Sequence, residues 1–212
     1  DQCCTMGRLL AGHLASMDGV RLMAICSSSP QTKPEAERLG ARWYADYADM
    51  LASCAGLQAV VLALPTHLHR TFTVLAAKSG LHVFCEKPMA LSPAECDEMI
   101  DACERSGVVL FVGHVLRFFP EYADLRRHVT EGAIGRIAVA HAKRFGPHPG
   151  DASWFADETK SGGVLLDMMI HDIDFMRSIM GEVRTVYAFS HKSPGLQYAN
   201  ATLRFADGAI AN

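Results

Sequence analysis

Residues 57–90 run LQAVVLALPTHLHRTFTVLAAKSGLHVFCEKPMA. The segment LQAVVLALP is continuous in apolar residues and too short for a buried helix, which makes it a strand. HRTFTVLAAKSG has helical spacing and a glycine stop at Gly80, and LHVFCEK is a second strand. A strand, a crossover helix and a strand make a right-handed βαβ unit with parallel strands. Strands this uniformly apolar are expected in a sheet buried on both faces.

The same alternation extends in both directions. RLLAGHLASM reads as helix, VRLMAIC as strand, and PEAERLG and YADMLAS as short helices. SPAECDEMIDACERSG is a helix with Ser92 as N-cap, Pro93 at its first position, Glu95 near its third and Gly107 as its stop. VVLFVGH is another strand. After about Val115 the pattern changes. FPEYADLRRHVTEG is one more helix, with Gly132 beyond its end, IGRIAVAHAKRF is a strand, and GPHPGDASWF is a loop. A helix from Gly163 to about Met180 follows, stopped by Gly181. VRTVYAFSHK, QYANATLRFA and GAIAN read as antiparallel strands, the last two joined by the turn-forming pair Asp207-Gly208. The expected fold class is therefore α/β. A Rossmann-type domain with a parallel sheet spans 1–116, and an α+β domain with a mostly antiparallel sheet spans 117–212. The chain opens almost directly on a helix and stops within a hairpin, so it reads as truncated at both ends.

The 212 residues are 50% hydrophobic and carry a net charge of −3 with acids and bases interspersed. No basic field points to nucleic acid or an anionic membrane surface, and no apolar run approaches the roughly 20 residues that span a bilayer. Seven scattered cysteines without paired spacing fit reduced thiols in a cytoplasmic protein better than disulfides or a zinc site. The adjacent Cys3 and Cys4 are read as incidental.

In an open parallel sheet, ligands bind beyond the carboxyl ends of the strands. Three such ends carry polar residues here. Leu64, Pro65, Thr66, His67 and His69 follow one strand, Glu86, Lys87 and Pro88 the next, and Gly113, His114 and Arg117 a third. The second domain contributes SGGVLLDMMIHDIDFM, residues 161–176. On an α-helix, residues four apart share a face, so Asp167 and His171 are expected to point the same way from an otherwise apolar, buried helix. Burying an acid and a base is unfavourable unless they are paired or used. They could simply satisfy one another. A metal site from Asp167, His171, Asp172 and Asp174 is disfavoured because the last two leave that face, and no metal is expected.

CEKPMA after a strand, LPTHLH before it, GAIGRI entering the second domain and GGVLLDMMIHDID together resemble the Gfo/Idh/MocA oxidoreductases, a family that includes glucose–fructose oxidoreductase and inositol dehydrogenase. The resemblance runs from about Met6 to the end of the chain. It implies an NAD(P)-dependent dehydrogenase or reductase that transfers a hydride between a nicotinamide and a secondary alcohol or ketone of a sugar, inositol or related polyol. By the same resemblance Lys87, Asp167 and His171 are catalytic. His171 suits the proton transfer, since imidazole titrates near neutrality. Lys87 suits the developing alkoxide, and Asp167 orients the histidine or holds a hydroxyl. Arg117 and Trp154 are candidate substrate contacts beside Asp167 and His171, with Phe155 adding to an apolar wall and His114 a further candidate for substrate hydroxyls.

Cofactor contacts are expected from Met6, Gly7, Ser27, Ser28, Leu64, Pro65, Thr66, His69, Glu86 and Lys87, with an N-cap role for Thr66 as the structural alternative. The dinucleotide fingerprint G-x-G-x-x-G is degenerate: aligned on Met6-Gly7, its first two glycines fall at Gln2 and Cys4. Where an acidic residue would hold the ribose, the sequence has Ser27, Ser28 and Ser29 with Arg8 or Lys33 available, which leans towards NADP over NAD. The expected partners are a small polyol or sugar and, through the second-domain sheet, further copies of the chain. The alternative reading is a dinucleotide sensor or an inactive, truncated member that performs no chemistry.

Overall fold

The computed structural model describes residues 2–147, 150 and 153–212, with the side chains of 2–4 excepted. Part of the expected loop GPHPGDASWF, and the side chains of Gln2, Cys3 and Cys4, lie outside the described residues. Two compact units divide after Val112, Asp1–Val112 and Gly113–Asn212.

The first unit runs α1 (Gln2–Ser16), β1 (Ala24–Cys26), α2 (Lys33–Arg38), β2 (Arg42–Tyr44), α3 (Tyr47–Ser53), β3 (Ala59–Leu62), α4 (Thr66–Lys78), β4 (His82–Glu86), α5 (Pro93–Ser106) and β5 (Leu110–Gly113). β1 pairs with β2 and β3 with β4, both parallel. The strand orders are β1-β2 and β3-β4-β5, in two separate sheets. The βαβ reading of residues 57–90 holds. Val60, Leu62, Val83 and Cys85 on the sheet pack with Ala76 and Ala77 of α4 and with Met99, Ala102 and Cys103 of α5.

That packing also corrects one expectation. The sheet is covered on one face, but Ala59, Val61 and Phe111 point outward, Val61 at 37% and Phe111 at 44% exposure. Continuous apolar runs put oily side chains on both faces of a strand, yet only the face that meets a helix is dried. Phe84 and Phe111 on neighbouring strands stack at 5.5 Å and 22°.

The capping signals of α5 are met. Ser92 accepts from the Glu95 backbone N–H at 3.3 Å, Glu95 accepts in turn from the Leu91 N–H at 3.0 Å, and Gly107 ends the helix at φ 64°. Other boundaries move. The strand expected over VRLMAIC narrows to three residues. β2, with only three residues and one buried side chain, carries no signal in the sequence. α4 begins at Thr66, and Pro65 takes the N-cap position without a side-chain bond. Thr66 is therefore not the cap, because proline's fixed φ already turns the chain into the helix.

In the second unit a 3₁₀ turn (Val115–Phe118) leads into α6 (Pro120–Thr130) and β6 (Val139–Ala140). A second 3₁₀ turn (Trp154–Ala156) precedes α7 (Glu158–Ser161), a π-helical turn (Leu165–Met169) and α8 (Ile170–Met180). β7 (Val183–Ser193), β8 (Leu196–Phe205) and β9 (Ile210–Ala211) complete a sheet ordered β6-β9-β8-β7. β7–β8 and β8–β9 are antiparallel and β6–β9 parallel, so the sheet is mostly antiparallel. The Asp207-Gly208 turn joins β8 to β9, with the Gly208 N–H donating to Phe205 O at 3.0 Å. β8 alternates: Leu203 and Phe205 turn inward to meet Met176, Ile173 and Met180 of α8, Ala201 is buried on the same face, and Arg204 turns outward.

Candidate active site

The turn after β4 is held from beneath by a histidine. His69, on the first turns of α4, has no exposed surface. Its Nδ1 lies 2.9 Å from Pro88 O and its Nε2 2.9 Å from Leu64 O. The ring thus ties the carboxyl end of β3 to the residue after Lys87. Burial pulls this imidazole below its usual range, against the Pro88, Leu64 and Met89 carbonyls, which favour a protonated ring. His69 was expected to line a cofactor path, but it has no surface there to offer. Pro88 is fully buried and Lys87 half-buried. Glu86 accepts from the Lys87 backbone N–H at 3.2 Å, and burial holds its carboxyl above the ordinary range.

Around the same strand ends, the His67 Nδ1 is buried without a hydrogen-bond partner among the described residues. It sits in the first turn of α4, where unpaired N–H groups and the helix dipole favour an anion. An orphaned imidazole nitrogen beside a helix N-terminus suits a phosphorylated cofactor. At the edge of β1, Ser27 Oγ accepts from the Ser29 N–H at 3.1 Å, which shapes the serine turn, and Ser28 is exposed. Met6 and Gly7 are placed differently from expectation. They belong to α1 rather than to a glycine-rich loop, and a Cβ at Gly7 would meet nothing nearer than Ala63 Cβ at 3.9 Å.

In the second unit the double glycine has a steric cause. Gly162 and Gly163 both adopt left-handed φ, 76° and 68°. A Cβ on Gly162 would lie 2.8 Å from Leu166 Cβ, and one on Gly163 would lie 3.1 Å from Glu158 Cγ. Ser161, with no exposed surface, accepts from the Gly163 N–H at 3.0 Å and donates to Phe155 O at 2.9 Å. The helix entry is thereby joined to the turn that carries Trp154 and Phe155, whose rings stack at 3.8 Å and 30°. The Trp154 Nε1 is buried with no hydrogen-bond partner among the described residues.

Asp167 lies in the π turn and His171 in α8. The continuous α-helix expected from Gly163 is corrected accordingly, and so is the simple i, i+4 geometry, because a π turn closes on i+5 and offsets the side chains that precede it. The segment is also less buried than its composition implies. Phe175 and Met176 are its buried residues, and Leu165 is exposed. Such single π turns recur at functional sites.

Arg117, a candidate substrate contact, is engaged by Asp174 through Nε–Oδ2 at 2.7 Å and Nη2–Oδ1 at 2.6 Å. Arg144 forms the same fork with Asp172 at 2.8 and 2.9 Å. Neither aspartate was expected to be an ion-pair partner. The one clue in the sequence is two carboxylates on an apolar helix, which need counter-charges. No group of three or more His, Cys, Asp or Glu is arranged to hold a metal among the described residues. A cavity of about 300 Å³ lined by Arg184, Thr185, Arg204, Phe205, Ala206 and Gly208 includes none of the expected site residues.

Parallel strands with helices between them and polar groups gathered at their carboxyl ends define a nucleotide-binding α/β unit, here followed by a unit that lays a helix on a mostly antiparallel sheet. The chain belongs to the Gfo/Idh/MocA oxidoreductase family. Residues 4–114 match its description "Oxidoreductase family, NAD-binding Rossmann fold", and residues 122–212 match "GFO/IDH/MocA C-terminal domain". It is similar to the myo-inositol 2-dehydrogenase of Thermotoga maritima, 32% identical over 97% of this chain and 64% of that protein. It is also similar to the 2,7-anhydro-N-acetylneuraminate hydratase of Escherichia coli K12, 34% identical over 77% of this chain and 46% of that protein. Among solved structures, the WlbA dehydrogenase of Bordetella pertussis in complex with NADH and UDP-GlcNAcA superposes with a TM-score of 0.88 at 28% identity, covering 99% of this chain and 63% of that one. The chain spans about half the length of several curated relatives it matches.

Proposed function

We propose that the protein is an NAD(P)-dependent dehydrogenase or reductase acting at a secondary carbon of a sugar, inositol or related polyol, with Lys87, Asp167 and His171 as its catalytic residues. The observation that carries this is the occurrence of two motifs in one chain. The Glu86-Lys87-Pro88 turn sits beyond β4, pinned by buried His69. The double glycine leads into the π turn that carries Asp167 and the α-helix that carries His171. A dinucleotide sensor would need neither.

His67, Ser27 and Ser28 would hold the cofactor, together with the Glu86-Lys87 turn, while Thr66, expected among the contacts, is buried at 2% exposure. When bound, the nicotinamide supplies the hydride acceptor or donor. The protein's own work is proton and charge management. In the oxidative direction His171 takes the hydroxyl proton as a general base. Lys87 offers a fixed positive charge to the oxygen as it becomes an alkoxide. Asp167 orients the imidazole or accepts from a neighbouring hydroxyl. Trp154 and Phe155 form an apolar wall for the ring, and the orphaned Trp154 Nε1 donates to a substrate hydroxyl.

The serine turn after β1 carries no acidic side chain of its own, which favours NADP. The outward face of β7 and β8 supports association of copies, with Tyr187, Phe189 and Tyr198 between 47% and 73% exposed. The five described cysteines are all unbridged and no described helix is long and apolar enough to cross a membrane, in keeping with a cytoplasmic enzyme.

A polyol and sugar panel with NAD or NADP tests the reading, scored by nicotinamide absorbance and by product analysis, since net hydration would leave the absorbance flat. Turnover of one polyol supports it. Failure of the protein to bind either dinucleotide, followed by energy transfer from its tryptophans, overturns it.

A further inference from the structure

Two ion pairs grip α8 on either side of His171. Arg117, from the turn after β5, forks onto Asp174 at 2.6–2.7 Å, and Arg144, from the segment after β6, forks onto Asp172 at 2.8–2.9 Å. The Asp174 and Asp172 side chains are only 13% and 19% exposed, so each carboxylate depends on its partner. Both arginines are held above their usual range, chiefly by these hydrogen bonds. The ring of Tyr122 on α6 meets Phe175 of α8 edge-on at 4.7 Å and 87°.

The azimuths give the pairs their meaning. Successive residues of an α-helix are about 100° apart. Asp172 therefore lies about 100° to one side of His171, and Asp174, three residues on, about 60° to the other. His171 projects from the arc between two anchored directions. The π turn that carries Asp167 ends one residue before α8 begins, so the forks hold the α-helical part and leave the turn to its own glycine entry. Among the described residues, the charged and titratable groups on the π turn and on the elements joined to α8 near His171 in sequence or by these pairs include Asp167, Asp172, Asp174, His114, Arg117 and Arg144, with Tyr122 of α6 packed on Phe175. His114 Nδ1 lies 3.6 Å from the Asp174 carboxylate.

We propose that Arg117 and Arg144 are positioning residues which, through Asp174 and Asp172, set the direction in which His171 leaves α8. This rests on the reading of His171 as the proton-transfer group. Arg117 then serves the substrate indirectly, by holding the helix.

The test is an NMR titration of the His171 ring, its signal assigned by loss in His171→Gln, together with steady-state kinetics. The parent is compared with Arg117→Lys, Arg144→Lys and a control, Arg177→Lys. Lysine keeps the charge and loses the fork. Arg177 pairs with Glu182 at the far end of the same helix. Arg117→Lys and Arg144→Lys are expected to shift the His171 titration and to lower kcat about tenfold or more, with KM for the cofactor held within about twofold. Arg177→Lys leaves both unchanged. Parental titration and kcat in both fork variants would overturn the proposal. If the parent shows no turnover, the redox reading fails and the titration alone decides positioning. If Arg144→Lys does not fold, Arg117→Lys decides alone: a displaced His171 titration with lowered kcat supports the proposal, and parental values of both overturn it.

Discussion

Gly162 is held at φ 76° with Leu166 Cβ 2.8 Å from where a methyl group would sit. Left-handed backbone disfavours an L side chain by roughly 1–2 kcal/mol, and the clash adds to that. Gly162→Ala is expected to lower unfolding stability by more than this backbone term alone, read by urea denaturation. An unchanged midpoint would show that the helix entry relaxes freely. Glu86 makes a pH-dependent case. Burial raises its carboxyl, against the Lys87 backbone N–H and the Lys87 charge. An acid whose pKa is higher folded than unfolded binds more protons in the native state, so its favourable contribution exists at low pH and is lost as pH rises through the folded value. Glu86→Gln, which keeps an acceptor for the Lys87 N–H, is expected to raise the thermal midpoint at neutral pH and leave it unchanged below the carboxylate range. The reverse pattern would mean that the ionised carboxylate is the favoured form. These residue-scale features differ in how far the sequence shows them. The double glycine is visible and its need for positive φ follows from glycine's freedom. The two Arg–Asp forks are not visible, since Arg117 and Asp174 stand 57 positions apart and nothing local marks one for the other.

At the scale of elements, α5 was the most legible because its signals are local: Ser92, Pro93, Glu95 and Gly107 each act within a turn of the helix end they define. Ser92→Ala is expected to reduce stability by about 1 kcal/mol, measured by chemical denaturation, and no change would mean that Glu95 alone secures the start. β2 was illegible because three residues supported by parallel pairing to β1 need no periodicity of their own. The π turn was illegible for another reason. LLDMM is apolar at nearly every position, so a helix of either pitch buries it equally well, and the choice is made by the glycine entry and the fixed α8. That choice moves Asp167 relative to His171, which is why the geometry of these two candidate residues was not legible in the sequence.

For the molecule as a whole, the alternation of strands and helices and its change after β5 were legible in the order of the elements. The covering of each sheet was not, because an apolar strand does not say which of its faces meets a helix. The outward β7–β8 face is the largest-scale consequence. Light scattering is expected to give a multiple of the 23.1 kDa chain mass, falling to the single-chain value in Tyr187→Lys. A parent already at the single-chain mass would remove the sheet from the account of assembly.

Chemistry by Lys87 and His171 is tested most directly by comparing Lys87→Ala and His171→Ala with the parent for both turnover of a polyol and dinucleotide affinity. Loss of about a hundredfold or more in kcat, with cofactor affinity close to the parent's, is the expected result. Parental turnover in either variant would contradict the assignment.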